Sequence, residues 1–207
     1  YSLRFRGSFH RWSADRIYEG FLHYIQTIFH SFDTISSMKF AHAKPNDIPT
    51  LTSLLNRSYR GESSRAGWTT EADLLSGKRI DEAGVSALLN NPDSYFFIAF
   101  QEETIVASIH AYRENNAVHF GLFAVEPTMQ GSGIGKQLLA YAETESMKRW
   151  KVDTAVMEVI TLRSELIEYY ERRGYVRTGA TIPFPESGLW EKRVDFLEFS
   201  VMEKKLA

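Results

Sequence analysis

Cysteine is absent from the 207-residue chain, which excludes disulfides, thiolate metal ligands and a cysteine nucleophile. No HxxxH or HExxH spacing occurs, so we expect no metal site. Apolar runs of the roughly 18 residues that a membrane helix needs are also missing, as is a signal-peptide core. A formal charge of -2 gives no electrostatic reason to expect nucleic acid. These absences predict a soluble, cytoplasmic protein without nucleic-acid or membrane partners.

Apolar residues make up 43% of the chain and aromatic residues 14%, which is typical of a folded globule. The length predicts one domain with an appendage. The appendage is residues 1–37, where apolar side chains recur at helical spacing from Ile17 to Phe32. Its interpretations are a helix packed on the neighbouring domain, a docking or homodimer helix, a membrane-surface helix, or an extension before a natural start at Met38. Residues 38–207 are the expected main domain.

The most informative stretch is a glycine-rich turn between a strand and a helix. An apolar run over 118–125 ends at Pro127, Gln130-Gly-Ser-Gly-Ile-Gly135 follows, and a helical pattern begins after it. Glycines let the backbone approach a ligand closely, and the first N–H groups of a helix favour negative charge. The turn therefore predicts a phosphate or pyrophosphate site. It contains no GxxxxGK[ST] and lies past mid-chain, unlike a Walker loop or a Rossmann fingerprint.

The rest of the main domain predicts alternating strands and helices. The expected strands are 39–44, 94–101, 104–113, 118–125, 153–160, 175–178 and 194–202, and the expected helices begin near residues 45, 69, 81, 131 and 163. The three strands between 94 and 125 have short turns and predict an antiparallel meander. Gly174 follows the last helix in the manner of a C-terminal glycine cap.

The sequence Gln-x-x-Gly-x-Gly after Phe123-Ala-Val-x-Pro127 resembles the coenzyme loop of the GNAT superfamily of N-acetyltransferases. The order of elements over about residues 39–203 is similar to theirs. The resemblance implies an α/β (α+β) fold with a mixed sheet of about six to seven strands, splayed between the fourth and fifth. It also implies acetyl-coenzyme A as cosubstrate. The implied coenzyme contacts are Phe123, Ala124, Val125, Gln130, Gly131, Ser132, Gly133, Ile134, Gly135, Lys136 and Arg163, where Arg163 stands in place of the family's frequent asparagine.

A second signature, Tyr169-Tyr-Glu-Arg-Arg-Gly-Tyr175, resembles the family helix that carries a general acid. By motif position the acid is Tyr170, and the alternative for this residue is a core tyrosine on an apolar helix face. Tyr169 is expected to pack against the core because it points elsewhere around the helix. The resemblance implies that backbone N–H groups of Phe123–Val125 polarise the acetyl carbonyl. For the base the residues leave three alternatives, which are His119, Glu158 or none.

The segment between Tyr59 and Leu75 is a polar loop with two glycines, two arginines and one tryptophan. In the resembled family this segment covers the acceptor site, which makes Arg65, Trp68, Glu71 and Asp73 substrate candidates, together with Glu158. The alternative is that Trp68 fastens the loop to the core and the acids serve a helix that Thr69 or Thr70 caps.

The expected function is transfer of an acetyl group from acetyl-coenzyme A to an amine of a small molecule or peptide. Two other functions stay open: a coenzyme-A-binding regulatory or interaction module with the same fold, and transfer to a different acceptor or from a different acyl donor. Acids and arginines in the 65–73 loop favour opposite acceptors, so the sequence does not choose between a cationic and an anionic amine.

Overall fold

The computed structural model describes residues 38–207. The predicted N-terminal helical extension, residues 1–37, lies outside the described residues. Among residues 38–207, no helix has an apolar stretch long enough to cross a bilayer.

The strands form one large mixed sheet and one small sheet. Their bounds are β1 (Lys39–His42), β2 (Leu75–Gly77), β3 (Ser94–Gln101), β4 (Thr104–Glu114), β5 (Ala117–Val125), β6 (Thr154–Ile160), β7 (Val176–Pro183), β8 (Trp190–Lys192) and β9 (Glu198–Lys205). Seven of them follow the order β1-β3-β4-β5-β6-β9-β7. All neighbours in this sheet are antiparallel except β5 and β6, which are parallel. The predicted mixed sheet and its antiparallel meander are confirmed.

Within residues 38–207, four α-helices cover the two faces of the sheet: α1 (Ile48–Tyr59), α2 (Glu82–Leu89), α3 (Ile134–Trp150) and α4 (Ser164–Glu171). Leu51, Leu54 and Leu55 of α1 lie three or four residues apart and are fully buried against one face. Each contributes about 1.5–3 kcal/mol on burial. Helices α3 and α4 pack on the opposite face. Helix α4 ends shortly before Gly174, which has φ +88°. This conformation confirms the predicted glycine cap.

Strands β5 and β6 pair only over their first halves. The pairing runs from Ala117 opposite Thr154 to Phe120 opposite Met157 and then stops, although both strands continue. The sheet is therefore splayed between its fourth and fifth strands in chain order, as predicted. A gap opens beside the second half of β5.

A β-bulge in β5 accompanies the divergence. Between the pairs Ser108–Ala124 and His110–Gly121, one residue of β4 faces two residues of β5, and Leu122 has φ +45°. A bulge of this kind changes which face later side chains occupy. Before it, Val118 and Phe120 belong to the core under α3, whereas Leu122 and Ala124 belong to the core under α1. Phe123 therefore joins the α3 side, opposite to the side that His119 faces.

Two expectations about this domain are wrong. The helix predicted to begin at Thr69 or Thr70 is a single turn, in which Leu74 and Leu75 N–H groups donate to the Glu71 carbonyl at 2.9 and 3.0 Å. The chain then enters β2, which pairs with β8, because Leu75 is buried in a cluster with Ile160, Phe184 and Leu197. Tertiary packing outweighs local helix signals here. The last strand starts at Glu198 rather than at residue 194.

Candidate active site

The backbone of β5 presents polar groups to the gap between β5 and β6. The Glu126 N–H donates to Val106 of β4 at 2.8 Å, so Val125, which alternates with it, directs its peptide groups away from β4. The carbonyls on this side are bound by α1: the Tyr59 hydroxyl donates to Phe123 O at 2.8 Å, and Ser58 Oγ to Val125 O at 3.2 Å. Helix α1 thus fixes the strand that borders the gap.

The glycine-rich turn has the conformation that an anion site needs. Gly131 and Gly133 have φ of +83° and +92°, values that other residues rarely adopt. A Cβ atom built on either glycine would meet nothing within 4 Å, so both face open space. Helix α3 starts at Ile134, and its first N–H groups lie beside the turn without partners inside the helix. This arrangement suits a phosphate or pyrophosphate.

A cavity of about 280 Å³ lies between this turn and helix α4. We call it the donor cavity. Its walls include the apolar side chains of Phe123, Val125 and Leu166 and the cations Lys136, which follows the glycine-rich turn, and Arg173. Among residues 38–207, neither cation pairs with a carboxylate. An apolar channel that ends at cations and helix N–H groups fits coenzyme A, which has a long neutral arm and phosphates.

Other residues predicted to touch the coenzyme have structural contacts. The Gln130 amide oxygen accepts from Trp68 N at 2.9 Å and Thr69 N at 3.3 Å, and its nitrogen donates to Thr69 Oγ1 and Val125 O. Gln130 therefore ties the loop before β2 to the glycine-rich turn. The Ser132 hydroxyl donates to Met129 O at 2.6 Å. The side chains of Ala124 and Ile134 are buried in the cores, so only their backbone can face a ligand.

Tyr170 lies where the donor cavity meets a second cavity, and its side chain lines both. It is 5% exposed, and burial raises the pKa of its hydroxyl well above the usual value. Tyr169 lines the donor cavity, where its ring lies 5.4 Å from that of Trp68 and 3.2 Å beneath the Arg173 guanidinium. Tyr170 therefore presents a protonated hydroxyl where the two cavities meet.

Tyr59 is a site residue that sequence reasoning missed. It lines both cavities, its hydroxyl fixes Phe123 O, and burial raises its pKa to about 12. A signal existed, because Tyr59 follows Leu51 and Leu55 at intervals of four residues on the buried face of α1.

The second cavity measures about 140 Å³ and lies on the far side of the gap. We call it the acceptor cavity. It brings together three residues that were predicted as base or substrate contacts, His119, Glu158 and Glu71. The His119 ring stacks on Tyr112 at 4.9 Å, its Nε2 lies 3.3 Å from Glu114 Oε2, and its buried Nδ1 has no hydrogen-bond partner among residues 38–207. These contacts fix the position of the imidazole ring and leave its Nδ1 without a hydrogen bond to residues 38–207.

The remaining predicted residues divide between the two sides and the surface. Arg163 lines the acceptor cavity rather than the donor cavity, is 5% exposed, and donates to the carbonyls of Thr69 and Trp68 at 3.3 and 3.4 Å. Trp68 borders the donor cavity and is 40% exposed. Arg65 and Asp73 line neither cavity and pair with each other at 2.6 Å on the surface. In the described part of the chain, no cluster of three His, Asp or Glu side chains could hold a metal ion.

The sequence from residue 68 to residue 190 matches the family model described as an acetyltransferase (GNAT) domain. The match spans more than half of the chain, and the chain therefore belongs to the GNAT acetyltransferase family. GNAT enzymes use acetyl-coenzyme A. No curated protein sequence gives a significant match.

Solved structures show the same fold at low sequence identity. The ribosomal-protein-S18-alanine N-acetyltransferase of Escherichia coli superposes with a TM-score of 0.61 at 16% identity, covering 82% of this chain and 94% of the other. The PaiA N-acetyltransferase of Thermoplasma acidophilum, in complex with coenzyme A, gives 0.57 at 20% identity, with 82% and 99% covered. A chimeric spermidine N-acetyltransferase, SpeG from Vibrio cholerae and hSSAT, gives 0.59 at 13% identity, with 82% and 95% covered.

Proposed function

We propose that this protein transfers the acetyl group of acetyl-coenzyme A to an amine by direct attack in a ternary complex. The observation that carries the proposal is the meeting of two cavities at a shared wall. Tyr59, Phe123, Leu166 and Tyr170 line both cavities, so molecules held on the two sides of the gap would touch each other there. Holding both reactants in one site makes the reaction effectively unimolecular.

The donor cavity would hold the coenzyme with backbone groups and cations. The N–H groups at the start of α3 and the side chains of Lys136 and Arg173 face its phosphates, and the apolar wall of Phe123, Val125 and Leu166 follows its neutral arm. Bound there, acetyl-coenzyme A supplies an acetyl thioester to the junction. Backbone N–H groups of Phe123–Val125 that face the gap would polarise its carbonyl.

Two side chains accept and donate the protons of the reaction. The amine loses a proton to the His119 imidazole as the new C–N bond forms. The Tyr170 hydroxyl gives its proton to the departing sulfur as the C–S bond breaks. The Tyr170 hydroxyl carries its proton at neutral pH and so has one to donate. His119 lies on the other wall, so acid and base act from opposite sides of the gap.

The test measures binding and transfer separately on the full chain. Calorimetric titration with acetyl-coenzyme A should give one site per chain. Thiol release should exceed the acceptor-free rate when a panel of amines is added, with mass spectrometry showing an acetylated amine. Binding without acceleration by any amine would favour a coenzyme-binding module, and absence of binding would exclude both functions.

A further inference from the structure

The acceptor cavity is lined by four charged side chains, and two of them are already neutralised. Glu71 forms a buried ion pair with Arg60. Arg163 lies 2.5 Å from Glu165 Oε1 and also donates to two carbonyls. Burial makes such charges stable only when they are paired in this way. These residues therefore form the walls of the cavity and leave little charge for a ligand.

The other two charges, Arg79 and Glu158, have no ion-pair partner within residues 38–207. The Arg79 guanidinium is held by aromatic rings, at 5.4 Å from the centre of Tyr59 and 6.0 Å from that of Trp190. Ring contacts fix a guanidinium without occupying its N–H groups. Arg79 therefore keeps a planar set of donors that matches a carboxylate.

Glu158 comes from a different element of the cavity wall. It lies on β6, in the part of the strand that has left β5, and its side chain is exposed within the gap. A free carboxylate at this position suits an ammonium group. The acceptor cavity thus offers one unpaired charge of each sign to whatever enters it.

The size of the cavity limits the ligand. At 140 Å³ it is close to the cavity of about 150 Å³ that takes up benzene in an engineered protein. A molecule with the two charges of a zwitterion and a body of a few carbon atoms fits this space. A long polyamine would place a second cation near Arg79, which repels it.

We propose that the acceptor is a small zwitterion of the amino-acid class, whose carboxylate is bound by Arg79 and whose amine is bound by Glu158. The inference rests on the proposed acetyl transfer and narrows its acceptor. Glu158 orients the ammonium group, which loses one proton to solvent water before it attacks and a second to His119 as the C–N bond forms. Arg79 sets the specificity for the acceptor, because it binds the carboxylate, which does not react.

The test compares acceptors that differ only in the carboxylate. Acetylation of L-amino acids, of the same amino acids as α-amides, and of spermidine is measured by mass spectrometry with the full chain and acetyl-coenzyme A. We expect kcat/KM for the best amino acid to exceed that for its amide by at least tenfold. In Arg79→Gln the value for the acid should fall about 10- to 100-fold, the usual worth of hydrogen bonds to a charged group. That loss should remove the preference for the acid.

Three variants serve as controls. Arg79→Lys keeps the charge and should retain part of the preference. Arg149→Gln removes an arginine that also stacks on a tyrosine, 4.1 Å from the ring of Tyr95, but lines neither cavity, and it should leave the preference unchanged. Glu158→Gln should weaken acid and amide alike, because both carry the amine.

The outcomes separate this inference from the proposed function. If spermidine or the amides are acetylated with the same kcat/KM as the amino acids, the inference is wrong while the proposed acetyl transfer stands. The same holds if Arg79→Gln keeps the preference for the amino acid over its amide. If no amino acid is acetylated, the inference is also wrong. If the unaltered protein does not bind acetyl-coenzyme A, the proposed function itself is wrong.

Discussion

The two cavities on either side of the β5–β6 gap are built in different ways. The donor cavity takes much of its wall from one continuous stretch, residues 123–136, together with α4. The acceptor cavity draws on α1, the segment around β2, and strands β4, β5, β6 and β9. The first is shaped mainly by backbone conformation and the second by side chains that meet only in the folded chain.

This difference makes the two cavities suitable for different kinds of reactant. A backbone site depends on glycines at positive φ and on a helix start, which many sequences can provide in the same order. It therefore suits the reactant that the family shares. A side-chain site changes with single substitutions, and it suits the reactant that differs between members. Solved structures with this fold include one named for a ribosomal-protein alanine and one named for spermidine.

The largest effect is expected at the junction, where one hydroxyl serves both cavities. Tyr170→Phe should lower kcat by roughly 10²–10⁴, the usual worth of one positioned acid, with little change in coenzyme affinity. Steady-state thiol release and calorimetric titration measure the two quantities. Tyr169→Phe is the matched control, since its ring lines only the donor cavity, and it should do much less. Equal losses in both variants would show that the Tyr170 hydroxyl is structural.

The glycine-rich turn and the helix start that line the donor cavity could be predicted from the sequence for a physical reason. Glycine spacing, a strand end and a helix start are local features, and the structure places Gly131, Gly133 and Lys136 together as the motif suggested. The splay between β5 and β6 was implied by the resemblance, but the bulge at Leu122 was not predicted. A leucine at φ +45° has no local signature, because tertiary contacts impose that conformation.

The acceptor side was predicted only in part. His119, Glu158 and Glu71 do line the cavity, but Arg65 and Asp73 do not, and Arg79 was not singled out. The order of residues along the polar loop does not say which side chain turns inward. That choice depends on β2 pairing with β8 and on Gln130 holding the loop at Trp68 and Thr69. These contacts join residues more than 60 positions apart.

Acid should lower the stability of the fold through His110, which lies next to the acceptor cavity. His110 stacks on Tyr112, which stacks on His119, and burial lowers the His110 pKa to about 4. The unfolded chain, with a pKa near 6.5, binds the proton more readily. Stability should therefore be complete above pH 6.5 and fall as the pH drops towards 4, by about 2 kcal/mol at pH 5. Urea unfolding at pH 7 and pH 5 measures this loss.

His110→Gln provides the comparison for that experiment, because glutamine does not titrate. The variant loses the bond between Ser94 Oγ and His110 Nε2, which is 2.8 Å long, so its stability at pH 7 should be lower. Its change between pH 7 and pH 5 should be smaller than that of the unaltered protein by about 2 kcal/mol. An identical change in the two proteins would assign the acid sensitivity to other groups.

Coenzyme binding in the donor cavity should be sensitive to a single side chain added in the glycine-rich turn. Gly133→Asp places a carboxylate where phosphate is expected, and it should weaken acetyl-coenzyme A binding at least tenfold, about 1.4 kcal/mol. The matched control is Gly179→Asp, because Gly179 also has a positive φ, +85°, and open space around it, but lines neither cavity. Both glycines have a similar positive φ, so an aspartate is strained at either position. If calorimetry gives the same affinity for both, the turn does not bind the coenzyme.

The smallest effect is expected from removing residues 1–37. The cavity walls described above come from residues 59–199, and Met38–Ala207 forms a compact unit by its own contacts. A chain that starts at Met38 should therefore bind acetyl-coenzyme A with the affinity of the full chain. Circular dichroism establishes that the shortened chain is folded, and calorimetric titration of both chains gives the comparison. A lower melting temperature with unchanged affinity would assign the segment to stability or self-association. A shortened chain that is folded but no longer binds would place residues 1–37 in the donor site, and the division between the two cavities would then have to include them.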